Sequence, residues 1–307
     1  MTILSAPSEL RPAGRKVCLA IGFFDGVHLG HQQIIRQTIS DARQHDAIAV
    51  CVTFDHHPNT VVAPERVPPL IYPLSKKLRT IASLEVDHLW LIHFDKAFSE
   101  LSGELFVRRL AQEFGRIQSV CVGANFLFGH KRGGNVDLLK TQGADLGFTV
   151  HGMAALALDG LAVSSTRIRD TIQAGDLDAT SQMLGRTYSL AGRIVHGDGA
   201  GRRLGFPTAN LDVDGLALPP KGVYAVRAMA GDKSWRGVLN IGTRPTLRHP
   251  QPRLQAEAHL LEFSGDLYDQ EVEVVLLEKL RDEKQFGSLT ELAEQIARDI
   301  RDAESRF

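Results

Sequence analysis

Residues 22–31 read Gly22-Phe23-Phe24-Asp25-Gly26-Val27-His28-Leu29-Gly30-His31. An apolar run over residues 17–21 precedes them, and a helical pattern follows over residues 32–42. The order strand, glycine turn, helix places a helix N-terminus at the end of a buried strand. Unpaired N–H groups and positive partial charge at such a terminus suit a phosphate group. This stretch therefore predicts an α/β fold with a phosphate site at its first turn.

The residue types within this turn fit that role. Gly22, Gly26 and Gly30 allow sharp turns and close approach of the backbone to a ligand. His28 and His31 are three residues apart, so they share one side of the first helical turn. Two imidazoles there can donate hydrogen bonds to a polyphosphate as charge develops on it. A metal pair and two surface histidines without a role are the alternatives, although zinc needs three or four ligands.

Composition limits the classes of function. The 307 residues allow two domains of about 100–200 residues each. The formal net charge of −1 disfavours a duplex nucleic-acid binder, and no run approaches the roughly 18 apolar residues of a membrane span. Three cysteines lie in apolar runs, as buried thiols of a reducing compartment do. We expect a soluble, cytoplasmic protein that binds neither nucleic acid nor membrane, as a monomer or weak homo-oligomer.

Polar residues also follow two later apolar runs. Residues 47–54 read as a parallel strand covered on both faces, and Asp55-His56-His57-Pro58 comes directly after it. A further run leads into residues 123–135, where Asn125 is a candidate ribose or phosphate ligand and Arg132 a candidate phosphate ligand. Open α/β sheets bind ligands at the carboxyl ends of their strands. Simple loops are the alternative interpretation of both stretches.

The first half of the chain alternates strands and helices, which predicts a doubly wound parallel sheet over residues 15–170. We expect a proline-rich loop over residues 59–73, strand material over residues 158–163, and two short closing helices up to a boundary after residue 185.

A hydroxyl-rich segment begins the first closing helix. Ser165 and Thr166 precede the apolar positions of that helix, which is an N-cap signature and the simplest explanation. Arg169 can also face the helix start as a charge-assisted phosphate ligand. The sequence contains no Walker A lysine motif, so a P-loop fold is not predicted.

The pattern changes after residue 186. Short strands of period two predict an antiparallel barrel over residues 188–195, 222–230, 234–241, 254–263 and 271–280. An amphipathic helix over residues 289–303 should pack on this barrel. We therefore predict a first domain over residues 1–185 and a second over residues 186–307.

A glycine-rich stretch over residues 196–211 carries the polar groups of the second domain. Its glycines, among them Gly199 and Gly205, can expose backbone N–H groups to phosphates. Thr208 and Asn210 share one face if the segment is extended. A hydroxyl and an amide oxygen are ligands that Mg²⁺ accepts beside substrate phosphates. A glycine hairpin on a barrel rim is the alternative.

Both sets of motifs resemble known families. Residues 22–31 resemble the nucleotide-binding signature of the nucleotidylyltransferases, in the form found in prokaryotic FAD synthetases. Residues 123–135 and 164–169 resemble two further motifs of that superfamily, G-x-D/N-F-x-F-G-x-x-R-x-G and S-S-T-x-x-R. Residues 201–210 resemble the riboflavin kinase motif G-x-x-x-G-F-P-T-A-N, and residues 221–226 and 237–246 resemble two later kinase segments.

Over about residues 16–303, the order of these motifs is similar to that of the bifunctional riboflavin kinase/FMN adenylyltransferases of prokaryotes. This resemblance implies a Rossmann-like nucleotidylyltransferase sheet followed by a riboflavin kinase-like barrel and a terminal helix. One departure is His56, which stands where the family has a proline, whereas His57 and Pro58 match.

For the second domain, the resemblance implies transfer of the ATP γ-phosphoryl group to riboflavin. Glu257 would take the hydroxyl proton, while Thr208, Asn210 and Mg²⁺ hold the phosphates. Partial burial among apolar neighbours would suit Glu257 as a base; a surface glutamate is the alternative, and Glu262 is its nearest rival. The implied ATP- and flavin-binding residues are Gly199, Gly205, Phe206, Pro207, Thr208, Asn210 and Asn240.

For the first domain, the resemblance implies attack of the FMN phosphate on the α-phosphorus of ATP, which gives FAD and pyrophosphate. His28 and His31 would stabilise charge on the triphosphate, and Asp25 and Asn125 would orient the nucleotide. The implied ATP- and phosphate-binding residues are Gly22, Phe23, Asp25, Gly26, His28, His31, Asn125, Arg132, Ser165, Thr166 and Arg169.

Three other functions remain to be compared with a bifunctional enzyme. The first is an enzyme in which one module alone is active and the other domain serves only for binding; the departure at His56 makes the first domain the one whose activity is in question. A flavin storage protein without turnover is the second, but it has no use for a positioned base at Glu257. An RNA-binding barrel fused to a nucleotide sensor is the third, and the near-neutral charge and 7% aromatic content disfavour it.

Overall fold

The computed structural model describes residues 1–10, 14–244 and 253–307. The chain forms two compact units, Met1–Pro68 with Leu74–Ser165 and Pro69–Pro73 with Thr166–Phe307. None of the helices in the described ranges is both long and apolar enough to cross a lipid bilayer. The predicted functional boundary after residue 185 stays a prediction, and residues 245 and 246 of the second kinase segment lie outside the described residues.

A six-stranded parallel sheet forms the centre of the first unit. Its strands are β1 (Thr2–Leu4), β2 (Val17–Ile21), β3 (Ile48–Phe54), β4 (His88–Ile92), β5 (Ile117–Gly123) and β6 (Thr149–Met153). Their spatial order is β1-β4-β3-β2-β5-β6, with every neighbouring pair parallel. The predicted doubly wound sheet is confirmed. The winding reverses between β2 and β5, and open sheets bind ligands at the carboxyl ends of such strands.

Helices cover both faces of this sheet, which explains why its central strands β2 and β3 are almost wholly apolar and buried. Leu19 of β2 belongs to one buried layer with Phe106, and Cys18 belongs to the opposite layer with Ile35. The helices are α1 (Leu29–Gln44), α2 (Asn59–Val62), α3 (Leu74–Ala82), α4 (Lys96–Ser99), α5 (Gly103–Phe114) and α6 (Val136–Leu146).

Two segments differ from the sequence-based expectation. The predicted loop over residues 59–73 contains α2 and a 3-10 turn at Pro64–Arg66. The predicted strand over residues 158–163 is a hairpin of β7 (Ala157–Leu158) and β8 (Leu161–Ala162). Asp159 and Gly160 between them have φ angles of 54° and 75°, and two consecutive positive φ angles are what a two-residue hairpin turn requires.

The second unit is a closed antiparallel barrel preceded by helices α7 (Ser165–Ala174) and α8 (Leu177–Leu184). The six strands follow in the order β10-β13-β12-β11-β14-β9 around the barrel. They are β9 (Ser189–Val195), β10 (Ala209–Leu211), β11 (Gly222–Ala230), β12 (Lys233–Arg244), β13 (Arg253–Leu260) and β14 (Glu271–Arg281), with α9 (Ala200–Arg203) before β10. The predicted barrel is confirmed, but β10 was not among the five predicted strands, because three residues are too few to show a period of two.

The terminal helix α10 (Leu289–Glu304) packs on the barrel as predicted. Ile300 and Ala303 lie in one apolar cluster with Val223 of β11. Arg281 of β14 donates to both carboxylate oxygens of Asp299, at 2.8 and 2.7 Å. The Asp299 side chain is only 4% exposed, so a buried bidentate ion pair joins the helix to the barrel.

Candidate active sites

The turn between β2 and α1 is strained. Phe24 and Val27 have φ angles of 55° and 42°, in the left-handed region that costs energy for residues with a side chain. Gly22 leaves room for Phe24, because a Cβ at Gly22 would lie 2.7 Å from the aromatic ring. Phe24 is almost completely buried, and its packing offsets the backbone strain. Strain of this kind concentrates at functional sites.

Two side chains from other elements hold this turn at the carbonyl oxygen of Phe23. Thr53 Oγ1 donates to it at 3.0 Å and Lys77 Nζ at 3.3 Å. Lys77 Nζ also donates to the Phe54 carbonyl at 2.7 Å and lies 4.4 Å from the centre of the Phe23 ring. No motif in the sequence marks Lys77, because it lies in an ordinary amphipathic helix and only the fold places it beneath the turn.

Lys77 is a buried cation, with 3% of its surface exposed. Burial lowers its pKa to about 8, although the nearby carboxylates of Asp25 and Asp55 favour the charged form. Asp25 is itself buried. A buried lysine with a perturbed pKa under a glycine turn is typical of a functional site rather than of a packed core.

The two predicted histidines stack at the start of α1. The ring centroids of His28 and His31 are 3.5 Å apart and the ring planes differ by 21°, which confirms that they share one side of the helix. His28 Nδ1 accepts a hydrogen bond from the His31 backbone N–H at 3.3 Å and caps the helix. A neutral His28 therefore carries its proton on Nε2, where it can act as a donor.

His31 is held neutral by its surroundings. Burial lowers the pKa of its imidazole well below the ordinary value, and the neighbouring His28 and Lys77 lower it further. Its Nδ1 atom is buried and has no hydrogen-bond partner among the residues that the structure describes. Because buried polar atoms normally have partners, this nitrogen indicates a position for a ligand.

Four other predicted residues of the first site fall in different compact units: Ser165 and Asn125 lie in the first unit, whereas Thr166 and Arg169 lie in the second. Ser165 Oγ donates to the Asp25 carbonyl at 3.2 Å, so it reaches the turn. Asn125 is exposed just beyond β5, the strand beside β2. Thr166 and Arg169 belong to the second compact unit, where Arg169 Nε donates to a backbone carbonyl at 2.6 Å. Their contacts with a triphosphate stay predictions.

A cavity of about 910 Å³ in the first unit shares Phe23 with this turn. Aromatic side chains form much of its wall, and the phenylalanines among them are Phe23, Phe54, Phe94, Phe98, Phe106, Phe126 and Phe128. Basic residues in the wall include Arg66, Lys96 and Arg132, and Arg132 is one of the predicted phosphate ligands. An aromatic wall with cationic groups suits a planar aromatic ligand that carries an anionic group.

Three predicted residues of the barrel meet at one level. Glu257 of β13 pairs with Asn210 of β10 on one side and with Asn240 of β12 on the other. Directly opposed residues on neighbouring strands project to the same face. These side chains line a cavity of about 180 Å³ together with Thr208 and Gly199. Glu257 is half-buried there, as its apolar neighbours led us to expect.

Glycines allow the loop before β10 to fold against this cavity. A Cβ at Gly197 would lie 2.2 Å from the Asn210 side-chain nitrogen, and a Cβ at Gly201 would lie 2.4 Å from the Phe206 carbonyl oxygen. The Gly201 carbonyl accepts the Phe206 N–H at 2.9 Å. Gly205 has a φ angle of 85°, which favours glycine. The loop geometry thus depends on glycine at these positions.

Three predicted kinase residues, Gly205, Phe206 and Pro207, do not line the cavity. The Phe206 ring instead meets the His259 ring edge-on, at 5.8 Å between centroids. The Pro207 carbonyl oxygen lies 2.8 Å from His259 Nδ1. Their roles in binding stay predictions.

Two acidic residues of this cavity were missed by the sequence analysis. Asp198 lies in the glycine-rich stretch already singled out, whereas Glu283 lies beyond β14 in a loop that carries no motif. Glu283 accepts the Thr243 N–H at 3.3 Å. Carboxylate, hydroxyl and amide oxygens therefore converge here, and such a donor set fits Mg²⁺.

Family models match both halves of the chain. Residues 11–167 match FAD synthetase, and residues 184–307 match riboflavin kinase. A solved structure described as a macrolide-efflux protein from Streptococcus pneumoniae has a TM-score of 0.81 and 25% identity, and the match covers 98% of each chain.

Curated relatives match over almost their whole length. The bifunctional riboflavin kinase/FMN adenylyltransferase of Escherichia coli (strain K12) is 36% identical over 301 residues, which cover 97% of this chain and 96% of the relative. The protein of that name from Pseudomonas fluorescens is 37% identical over 300 residues, with coverage of 98% and 96%. The resemblance seen in the sequence motifs is thus confirmed, and the chain belongs to the family of bifunctional riboflavin kinase/FMN adenylyltransferases.

Proposed function

We propose that this protein phosphorylates riboflavin to FMN and then adenylylates FMN to FAD, with ATP as co-substrate in both steps. The observation that carries the proposal is the presence of two separate polar sites in a chain of this family. One is the histidine-bearing helix start of the first unit, and the other is the carboxylate-bearing cavity of the barrel. The partners are small molecules, namely riboflavin, FMN, FAD and ATP.

In the kinase reaction, Glu257 accepts the proton of the riboflavin 5′-hydroxyl as that oxygen attacks the γ-phosphorus of ATP. Its half-buried position between Asn210 and Asn240 fixes the carboxylate at one level of the barrel. Thr208 and Asn210 are the proposed Mg²⁺ ligands, and Asp198 is a further candidate. Mg²⁺, when bound, would neutralise charge on the phosphates.

In the adenylyltransferase reaction, a phosphate oxygen of FMN attacks the α-phosphorus of ATP and pyrophosphate leaves. The substrate supplies the nucleophile, so the protein contributes positioning and charge stabilisation. His28 donates from Nε2, and His31 offers its unpaired Nδ1 side to the ligand. The aromatic cavity that contains Phe23 is the proposed pocket for the flavin ring.

A product time course tests both activities. Purified protein is given riboflavin, ATP and Mg²⁺, and the flavins are separated by chromatography; FMN should appear first and FAD should follow. FMN alone would refute the first site, and unchanged but tightly bound riboflavin would favour a storage protein.

Two single variants test the division between the sites. Glu257→Gln should lower FMN formation by about 10²–10⁴-fold, the usual contribution of a general base, and should still convert added FMN to FAD. His31→Ala should do the reverse. Loss of both activities in either folded variant would contradict the proposal.

A further inference from the structure

A carboxylate and two imidazoles meet at the carboxyl ends of β3 and β4. Asp55 and His56 follow β3, and His93 follows β4. One ligand atom of each residue lies within 4.8 Å of the other two. The three residues are not among those that line the aromatic cavity proposed for the flavin ring, called the flavin cavity below. The proposed reactions therefore leave this cluster without a role.

Asp55 is held in place from both strand ends. Its Oδ1 atom accepts the backbone N–H of His56 at 2.9 Å and that of Phe94 at 3.3 Å. The Nδ1 atom of His56 lies 2.6 Å from Oδ1, and the Nδ1 atom of His93 lies 2.6 Å from Oδ2. Both imidazoles thus already face the same anchored carboxylate.

From this geometry we propose that Asp55, His56 and His93 form a binding site for a divalent transition metal ion of the Zn²⁺ type. Imidazole nitrogen and carboxylate oxygen are ligands for zinc, cobalt and nickel, whereas Mg²⁺ prefers oxygen alone. Three protein ligands leave a fourth position for water, which is the arrangement of an open zinc site.

Metal entry needs only small movements. Zinc bonds of about 2.0–2.1 Å at a tetrahedral angle separate two ligand atoms by roughly 3.3 Å. The three ligand atoms already lie within 4.8 Å of one another, so no pair needs to change its separation by more than about 1.5 Å. The His93 side chain is 73% exposed and that of His56 is 34% exposed, so both can rotate. In the metal-free protein, a neutral His56 or His93 donates a hydrogen bond from Nδ1 to Asp55. To bind the metal through Nδ1, the imidazole changes to the tautomer that carries its proton on Nε2.

The flanking residues show where the metal would act. Phe54 precedes Asp55, Phe94 follows His93, and both phenyl rings line the flavin cavity. The two rings meet edge-on at 5.5 Å between centroids. A metal held between the strand ends should therefore stabilise this wall of the first unit.

Calorimetric titration of the metal-free full-length protein with Zn²⁺ tests the site. We expect one tight Zn²⁺ ion per chain, with affinity at least about tenfold weaker in His93→Ala and in His56→Ala. The matched control is His45→Ala, which removes an exposed imidazole outside the cluster and should leave this affinity unchanged. Excess Mg²⁺ should not displace the zinc.

Two spectroscopic readouts separate metal binding from a mere hydrogen-bonded cluster. Co²⁺ should give a visible d–d absorption band that is lost in His93→Ala. Zn²⁺ should raise the melting temperature of the wild-type first unit but not that of the variant, and equal melting of the metal-free proteins shows that the variant is folded. Unchanged Zn²⁺ affinity in both cluster variants, or an equal loss in His45→Ala, would overturn the proposal.

Discussion

Replacement of Lys77 by methionine tests the buried cation under the first turn. The lysine pKa falls from 10.5 to about 8 because burial removes the ammonium from water. A base with a lowered pKa binds fewer protons in the folded state, so its folded form gains stability as the pH rises from 7 to 10. With these two pKa values, linkage gives a gain of about 2.5 kcal/mol.

The Lys77→Met variant has no ionisable group at this position, so its stability lacks the pH-dependent gain. The unfolding free energy of the wild type minus that of the variant should therefore rise by about 2.5 kcal/mol between pH 7 and pH 10. The two carbonyls that Lys77 bonds lose a donor in the variant, but that cost is the same at both pH values and cancels.

Urea unfolding followed by tryptophan emission measures the difference. The chain has two tryptophans, and Trp235→Phe in both proteins leaves Trp90, which is buried in the first unit, as the probe. Lys77→Arg is the control, because a guanidinium stays charged at both pH values and should show the same loss of pH dependence as methionine. A change below about 0.5 kcal/mol, or one of opposite sign, would refute the assignment of a lowered pKa to Lys77.

Three further predictions concern stability. Gly129→Ala should destabilise the first unit by at least about 3 kcal/mol in urea unfolding, because φ is 72° and a Cβ would lie 2.5 Å from a backbone nitrogen. The control is Gly160→Ala, where φ is 75° but no atom is near, and it should cost about 1 kcal/mol. Similar costs for the two variants would contradict the steric argument. Asp299→Asn should destabilise the barrel by about 3–5 kcal/mol, because it leaves the largely buried guanidinium of Arg281 without its carboxylate. Urea unfolding followed by Trp235 emission measures this loss, and no loss would show that the ion pair is dispensable. His31 binds protons less readily in the folded state, so the first unit should lose stability as pH falls below about 6.5; melting curves at pH 7.5 and 5 should show a smaller loss in His31→Gln, and an equal loss would contradict it.

Local patterns in the sequence were sufficient to predict much of the architecture. Apolar runs alternating with amphipathic helices predicted the doubly wound sheet, because a strand covered on both faces must be apolar throughout. The hairpin at Asp159 and Gly160 and the short strand β10 were not predicted, since few residues carry too little periodic signal.

The sequence by itself determined the turn at residues 22–31, the glycine loop at residues 196–211 and, through their motifs, the family. Only the tertiary structure decided which distant side chains join these segments. Lys77 and Glu283 come from a helix and a loop that carry no local motif. Asp55 and His93 follow different strands of the sheet, and only the fold brings them together. The physical reason is that a motif records backbone conformation over a few residues, whereas burial and proximity arise from contacts between residues far apart in the chain.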